Sequence, residues 1–306
     1  MAGLALVFPG QGSQQVGMGK SFAGAHPEAR QVFEEANEAL GFDLKKLCLE
    51  GPEDELTLTF NAQAAIVTVA TMAYRLLSAR APLRPVSVAG HSVGEYAALV
   101  AASVLPFKAA VQAVYQRGKF MQEATPVGVG AMAAILGTPP DELEKICREE
   151  AHGEVVSPAN FNCPGQIAIS GHTAAVKRVL ARCKGKLLVV SAPFHSALMQ
   201  PAADRMRTVL AGIPFADASV PVVANVDNAF VTKAAEFAPL LVQQVTAPVR
   251  WDTGCQAMIR AGADRFVEVG HGKVLAGLMK RIDKSVPMSG VQDEESLKAV
   301  LAELGA

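Results

Sequence analysis

The sequence predicts an α/β protein with a mostly parallel sheet, interrupted by a smaller inserted unit of a different strand order. Three observations carry this. Short apolar strands without apolar–polar alternation are each followed by helical periodicity, the pattern of strands buried on both faces. Between about residues 128 and 191 the order changes to βαββαβ, a split-βαβ arrangement of the ferredoxin-like kind. The chain has 306 residues, long for a single compact core.

Leu4–Phe8 is an apolar run stopped by Pro9-Gly10 and reads as a buried strand. Pro27–Leu40 places Phe33, Ala36 and Leu40 at helical spacing, and Leu44–Glu50 reads as a short helix. Ala62–Ser78 is a long apolar helix. Val86–Ala89 is a second buried strand, with a helix over Val93–Ser103 directly after it. Pro106 opens a helix that runs to about Glu123.

Within the insert, Gly128–Leu136, Val155–Asn160, Gln166–Ser170 and Lys186–Ser191 read as strands. Pro140–Ala151 and Ala174–Cys183 read as helices. Pro126-Val127-Gly128 and Ala192-Pro193 flank this stretch, so residues 127–198 form the expected small domain. Residues 1–126 and 199–306 form the large one. In the latter part Met199–Leu210, Ala235–Val245, Thr253–Ala261 and Val274–Ile282 read as helices, and Val220–Val223 and Arg265–Val269 as strands.

Half of the residues are hydrophobic and 19% are charged, as in a well-packed globular protein. The net charge of −1 and the absence of a dense basic segment argue against a nucleic-acid partner. The opening MAGLALVFPGQGSQ lacks a basic region, and its apolar run is too short for a signal peptide. Polar residues interrupt the apolar helices, which fall short of a membrane span. Five scattered cysteines without a C-x-x-C pair point to reduced thiols and a cytoplasmic location, and no zinc spacing is present.

The chemistry centres on Gly90-His91-Ser92-Val93-Gly94. The pattern G-x-S-x-G between a strand and a helix is the context in which serine hydrolases present a nucleophile. The helix start behind it offers N–H groups and a positive dipole end to an oxyanion. Such a serine needs a base. His91 is its neighbour and reads as structural, and His26, His152 and His172 lie in polar, surface-like segments. His195 and His271 remain, and spacing alone leaves both open; His271 with Asp252 or Asp264 imitates the order of a hydrolase triad. The glycine loop Phe8–Gln14 is not a dinucleotide fingerprint, because Gln15 stands where the third glycine belongs. It can instead give a backbone N–H to an oxyanion hole.

FPGQGSQ (8–14), GHSVGEY (90–96), QRGKFMQEA (116–124), NFNCPGQIAISG (160–171), APFHSALM (192–199) and EVGHGKVL (268–275) run in order along nearly the whole chain. Together they resemble the malonyl-CoA:acyl carrier protein transacylases and the acyltransferase domains of fatty acid and polyketide synthases. The resemblance implies an α/β-hydrolase-like large domain with a ferredoxin-like insert. It implies Ser92 as the acyl-carrying nucleophile, His195 as its base, and the N–H groups of Gln11 and Val93 as the oxyanion hole. Arg117 would bind the malonyl carboxylate, and the backbone carbonyl of Gln244 would orient the histidine. Gln63, Asn160 and Asn162 match polar residues near the substrate. Phe194 matches the position where phenylalanine accompanies malonyl, its ring crowding an α-methyl group. His271 departs from the family, which has proline there, and reads as a loop substitution.

The implied activity is transfer of malonyl from coenzyme A to the phosphopantetheine thiol of acyl carrier protein, supplying fatty acid elongation. No metal or cofactor is implied, and a monomer is expected. Two basic clusters could steer an acidic carrier: Lys177, Arg178, Arg182, Lys184 and Lys186 on the insert, and Lys280, Arg281 and Lys284 near the C-terminus. The rival activities are a serine esterase or thioesterase, which gives the acyl group to water, and a non-catalytic acyl-binding scaffold.

Overall fold

Leu4–Phe8 is buried at all five positions because it lies between two parallel neighbours and under helices on both faces. It is strand β1. The computed structural model describes Gly3–Gly305. After β1 come α1 (Lys20–Ala25), α2 (Pro27–Leu40), α3 (Leu44–Glu50), α4 (Glu53–Thr57), α5 (Thr59–Ser78), β2 (Ser87–Gly90), α6 (Gly94–Ala101) and α7 (Phe107–Glu123). The insert holds β3 (Gly130–Leu136), α8 (Pro140–Glu150), β4 (Val156–Cys163), β5 (Gln166–His172), α9 (Thr173–Arg182) and β6 (Gly185–Leu187). The chain continues with α10 (Gln200–Ala211), β7 (Val222–Val223), β8 (Phe230–Val231), α11 (Ala234–Gln244), α12 (Trp251–Arg260), β9 (Arg265–Val269), α13 (Val274–Ile282), β10 (Met288–Val291) and α14 (Glu294–Leu304).

The main sheet has the order β10-β9-β1-β2-β7-β8, parallel except for the β7–β8 pair at its edge. The apolar α5 packs on one face with α2, α6, α7 and α10, and α12 and α13 cover the other. The second sheet has the order β4-β5-β3-β6 and is antiparallel, the arrangement expected of a ferredoxin-like unit. Its apolar core, built on Ile135, Leu143, Ile169 and Val176, is its own. The fold is therefore a parallel α/β sheet with a second, antiparallel sheet inserted. Strand β4 joins the two: Phe161 N donates to Val249 O at 2.8 Å, and Val249 N to Ala159 O at 2.9 Å.

Several elements differ from the sequence pattern. The last insert strand, expected over Lys186–Ser191, is only Gly185–Leu187. The chain leaves the sheet after Leu188, Val189 is fully exposed, and Ser191 Oγ pairs with Thr59 Oγ1 at 2.5 Å on α5. The structure adds α1, α4, β8, β10 and α14. His26, which reads as a surface residue, is half-buried: Nε2 meets Glu294 at 2.5 Å and Nδ1 meets Arg80 at 3.1 Å, tying α2 to α14. No helix among the described residues is long and apolar enough to cross a membrane.

The loops after β1, β2, β7 and β9 all leave from the carboxyl edge of the sheet, where ligands bind in open α/β sheets. Close approach of backbone fixes the glycines there. A Cβ on Gly90 would lie 2.0 Å from Gly94 O, and one on Gly94 would lie 2.3 Å from Phe8 O.

Candidate active site

Ser92 sits between β2 and α6 with φ of 52°, in the left-handed region. That conformation is costly for a residue other than glycine and is over-determined by its surroundings. Asn225, just after β7, accepts from Ser92 N at 2.7 Å and donates to Gly90 O at 2.7 Å. The turn is thus held from the neighbouring strand.

His195 also has a positive φ, 57°, on the loop that returns from the insert to α10. Its Nε2 lies 2.7 Å from Ser92 Oγ. Its Nδ1 faces the carbonyl oxygens of Gln244 at 2.9 Å and Ala247 at 3.2 Å. Two carbonyls accept and cannot donate, so Nδ1 carries the proton and Nε2 presents its lone pair to the serine. Burial pushes the imidazole down to about 3, and the Arg117 charge pushes the same way. The ring is a neutral base across the physiological range.

Arg117 reaches this pair from α7. A Cβ on the adjacent Gly118 would come within 2.5 Å of Phe60 Cα, so glycine lets α7 close onto α5. The guanidinium is 1% exposed. Nη1 donates to Gln63 Oε1 at 2.9 Å, and Nη2 to Gln244 Oε1 at 2.9 Å and Ser92 Oγ at 3.2 Å. Among the described residues Nε has no hydrogen-bond partner and no carboxylate touches the group. Burial lowers the affinity of the guanidinium for its proton, and Tyr96 and Glu95 oppose this. A buried cation with neutral neighbours and a spare donor is arranged to receive an anion.

The structure thus brings Ser92, His195, Arg117, Gln63 and Gln244 together. Phe194 is buried in the main core beside the histidine. Asn162 Oδ1 accepts from His91 Nε2 at 2.9 Å, and His91 lies against Trp251 with ring centroids 5.5 Å apart. Asn162 therefore steadies the strand–helix turn from the insert, and His91 does not reach Ser92 Oγ. Asn160 is buried on β4 and bridges the Val249 segment. The N–H groups of Gln11 and Val93 donate to no backbone acceptor among the described residues. A Cβ on Gly10 would lie 2.5 Å from His91 O, so the glycine loop is pressed against the turn that carries Ser92.

His271 makes no hydrogen bond to these groups. Its loop packs on the glycine loop, where Gly270 approaches Pro9 and Gly272 approaches Ser13. The glutamate of the same motif, Glu268, turns to accept from Leu275 N at 3.0 Å and Ala276 N at 2.9 Å, capping α13. Two residues that the sequence pattern does not single out belong to the site: Asn225, and Glu95 on α6, whose Oε2 accepts from Gln244 Nε2 at 2.7 Å.

A cavity of about 270 Å³ opens onto His195 between the two sheets. Val156, Pro158 and Phe161 line it from the insert and Pro248 from the large unit, with Arg148 and Arg250 also in its wall. No cluster of metal-ligating side chains occurs among the described residues.

Residues 5–300 match the acyl transferase domain family. The chain belongs to that family. It is 45% identical to the malonyl CoA-acyl carrier protein transacylase of Escherichia coli strain K12, over 98% of this chain and 99% of the relative. Among solved structures it resembles the malonyl CoA-acyl carrier protein transacylase of Coxiella burnetii, with a TM-score of 0.97 and 40% identity, covering 100% of this chain and 98% of that one. It also resembles a malonyl-transacylase solved in complex with a type II polyketide acyl carrier protein, with a TM-score of 0.96 and 42% identity over 99% and 100% of the two chains.

Proposed function

We propose that the protein moves a malonyl group from coenzyme A to the phosphopantetheine thiol of acyl carrier protein, through an ester on Ser92. The observation that carries this reading is Arg117: a buried guanidinium without a carboxylate partner, 3.2 Å from the serine oxygen. An esterase for neutral acyl groups has no use for that charge, whereas malonyl brings its own carboxylate.

In the first half-reaction Ser92 Oγ attacks the thioester carbonyl and its proton passes to His195 Nε2. The N–H groups of Gln11 and Val93 receive the oxyanion, an arrangement often worth roughly 3–4 kcal/mol per donor. The C–S bond breaks and coenzyme A leaves with the proton from Nε2. In the second half the phosphopantetheine thiol gives its proton to Nε2, its sulfur attacks the ester carbonyl, and Ser92 Oγ departs and is reprotonated. Exchange of thioester for ester and back is redox-neutral, and these side chains complete each proton transfer; we propose no metal or cofactor.

His195 needs no acidic partner in this scheme, because the Gln244 and Ala247 carbonyls hold its Nδ1 proton. Gln63 steadies Arg117. Phe194, packed next to the histidine, would crowd an α-methyl on the acyl group. Residues 127–198 would serve as a subdomain that supplies the opposite wall of the cleft. Of the basic cluster on the insert, Arg178 pairs with Glu154 at 2.8 Å and Arg182 with Glu149 at 2.7 Å and Glu150 at 2.9 Å, which leaves its three lysines without a carboxylate among the described residues. Lys280 and Lys284 meet no carboxylate among the described residues, Arg281 between them donates to Gln166 Oε1 at 2.8 Å and Pro164 O at 3.0 Å, and we assign carrier docking to this face.

Incubation with malonyl-CoA followed by intact-mass measurement tests the function. A malonyl adduct on Ser92 that a phosphopantetheine thiol discharges is the expected result. Steady hydrolysis without a thiol would make the protein a thioesterase, and neither adduct nor turnover would make it a scaffold. Charge reversal at Lys280 and Lys284 should raise the apparent KM for the carrier; an unchanged value would dismiss that face.

A further inference from the structure

Glu95 lies three residues beyond the nucleophile, on the first turn of α6, and takes no part in the proton transfers above. It is 3% exposed. Its Oε2 accepts from Gln244 Nε2 at 2.7 Å and from Asn225 N at 3.2 Å. Burial pushes the carboxyl up to about 7, while the bonds from Gln244 and Asn225 and the Arg117 charge draw it down.

Gln244 is the other half of the arrangement. Its Oε1 accepts from Arg117 Nη2 at 2.9 Å. Its Nε2 donates to Glu95 and, at 3.0 Å, to Ser92 O. One amide side chain therefore stands between a buried guanidinium and a buried carboxylate. An arginine and a carboxylate free to meet form a bidentate pair; the amide keeps them apart. The charges at its two ends also set its orientation. Turned over, it would aim its NH2 at the guanidinium and its oxygen at the carboxylate, losing both bonds.

The spacer has a second effect. The Glu95 charge supports the buried cation from one residue away, without itself occupying any donor of the guanidinium. Arg117 Nε still has no acceptor among the described residues.

We propose that Glu95 is a positioning residue that acts through the Gln244 amide to hold Arg117, and that this amide spacer keeps the guanidinium available to the carboxylate of the acyl group. The inference rests on the malonyl reading above. It assigns acyl selectivity to two residues that touch neither the thioester nor the acyl carboxylate.

Two substitutions test it, each read as the ratio of kcat/KM for malonyl-CoA to that for acetyl-CoA at pH 8. Both substrates are measured on one preparation, so any unfolded fraction cancels. Gln244→Glu leaves the backbone carbonyl for His195 but gives Arg117 an internal carboxylate. The ratio should fall at least about tenfold, chiefly through a higher KM for malonyl-CoA. Glu95→Gln keeps size and hydrogen bonding but removes the charge that orients the amide, and the ratio should again fall by about tenfold. In an Arg117→Ala background Glu95→Gln should leave the ratio unchanged, because the residue it acts through is gone. An undiminished ratio in either single variant, or an equal drop in the Arg117→Ala background, overturns the inference. If the wild-type protein itself forms no malonyl ester, the functional reading fails instead, so the two failures are distinct.

Discussion

On the proposed roles, replacing Arg117 by alanine should separate recognition of the acyl group from the chemistry at Ser92. The guanidinium is 1% exposed, so a carboxylate pairing with it does so away from solvent screening. Charge-assisted bonds of this kind contribute about 1.5–3 kcal/mol each, and breaking a buried pair costs about 3–5 kcal/mol. For malonyl-CoA, Arg117→Ala should therefore lower kcat/KM by about 10²–10⁴-fold. Acetyl brings no charge and loses no ion pair. It also gains a stronger base, since the Arg117 charge is the second cause, after burial, of the low proton affinity of His195. Acetyl transfer should then fall by less than about tenfold, or rise.

The substitution has a structural cost that must be measured alongside. It leaves Gln63 Oε1 and Gln244 Oε1 without their donor, each worth about 1–3 kcal/mol if no water replaces it. A thermal melt of the variant fixes that cost. The assay is transfer of each acyl group to a phosphopantetheine thiol, followed by mass spectrometry, with both substrates on the same sample. Equal losses for malonyl and acetyl would refute the carboxylate role and leave Arg117 as a structural support for the serine.

Four further outcomes follow from the same geometry. Nitrogen NMR of His195 should show the neutral Nδ1–H tautomer from pH 8 down to pH 5, and a midpoint above 6 would overturn the assignment of burial and Arg117 as its environment. The folded imidazole, held near 3, stays neutral while the unfolded one takes a proton below its ordinary value of 6.5, so stability falls as pH drops from 7 to 5. That loss is about 2 kcal/mol and should disappear in the pH slope of His195→Asn measured by denaturant titration. Ser92→Gly should melt above Ser92→Ala, by the equivalent of ~1 kcal/mol, because both lack the hydroxyl but only alanine keeps the Cβ at φ 52°. Gly94→Ala should cost folded yield or several degrees of melting temperature, since its Cβ would meet Phe8 O at 2.3 Å; an unperturbed melt would show that the elbow relaxes.

The strand–turn–helix around Ser92 was legible because its signals are local: a short apolar run, glycines where backbones touch, and a helix start. The βαββαβ order of the insert was legible for the same reason. Spacing could not choose between His195 and His271, because what selects His195 is a pair of carbonyls some fifty residues further along the chain. Glu95 is harder still. An acidic residue in the first turn of a helix is ordinarily a solvated partner of the dipole. Its burial comes from the loop after β7 and the end of α11, 130 and 149 residues away. Asn225 carries a weak signal: a polar residue at the carboxyl end of a buried parallel strand. The helix α14 had a clear one, Asp293 capping with Ser296 three residues on, whereas β10 is a short edge strand with Ser289 and Gly290 in its centre and no apolar run.

These distances place the electrostatic cost of the site in its resting state. Arg117 is buried without a contact anion, and His195 beside it resists a second positive charge. Nη2 of Arg117 also rests on Ser92 Oγ, engaging the lone pairs the nucleophile would use. A carboxylate entering with the acyl group relieves all three at once. It pairs the guanidinium, lifts the repulsion on an imidazolium forming at Nε2, and competes for the donor on the serine oxygen. Relief that grows as the imidazolium develops is stronger in the transition state than in the bound ground state, and so raises kcat as well as affinity. An acetyl group brings no carboxylate and would relieve none of it. Discrimination against acetyl should therefore appear in the rate of serine acylation, measured in a single turnover, and not in binding alone.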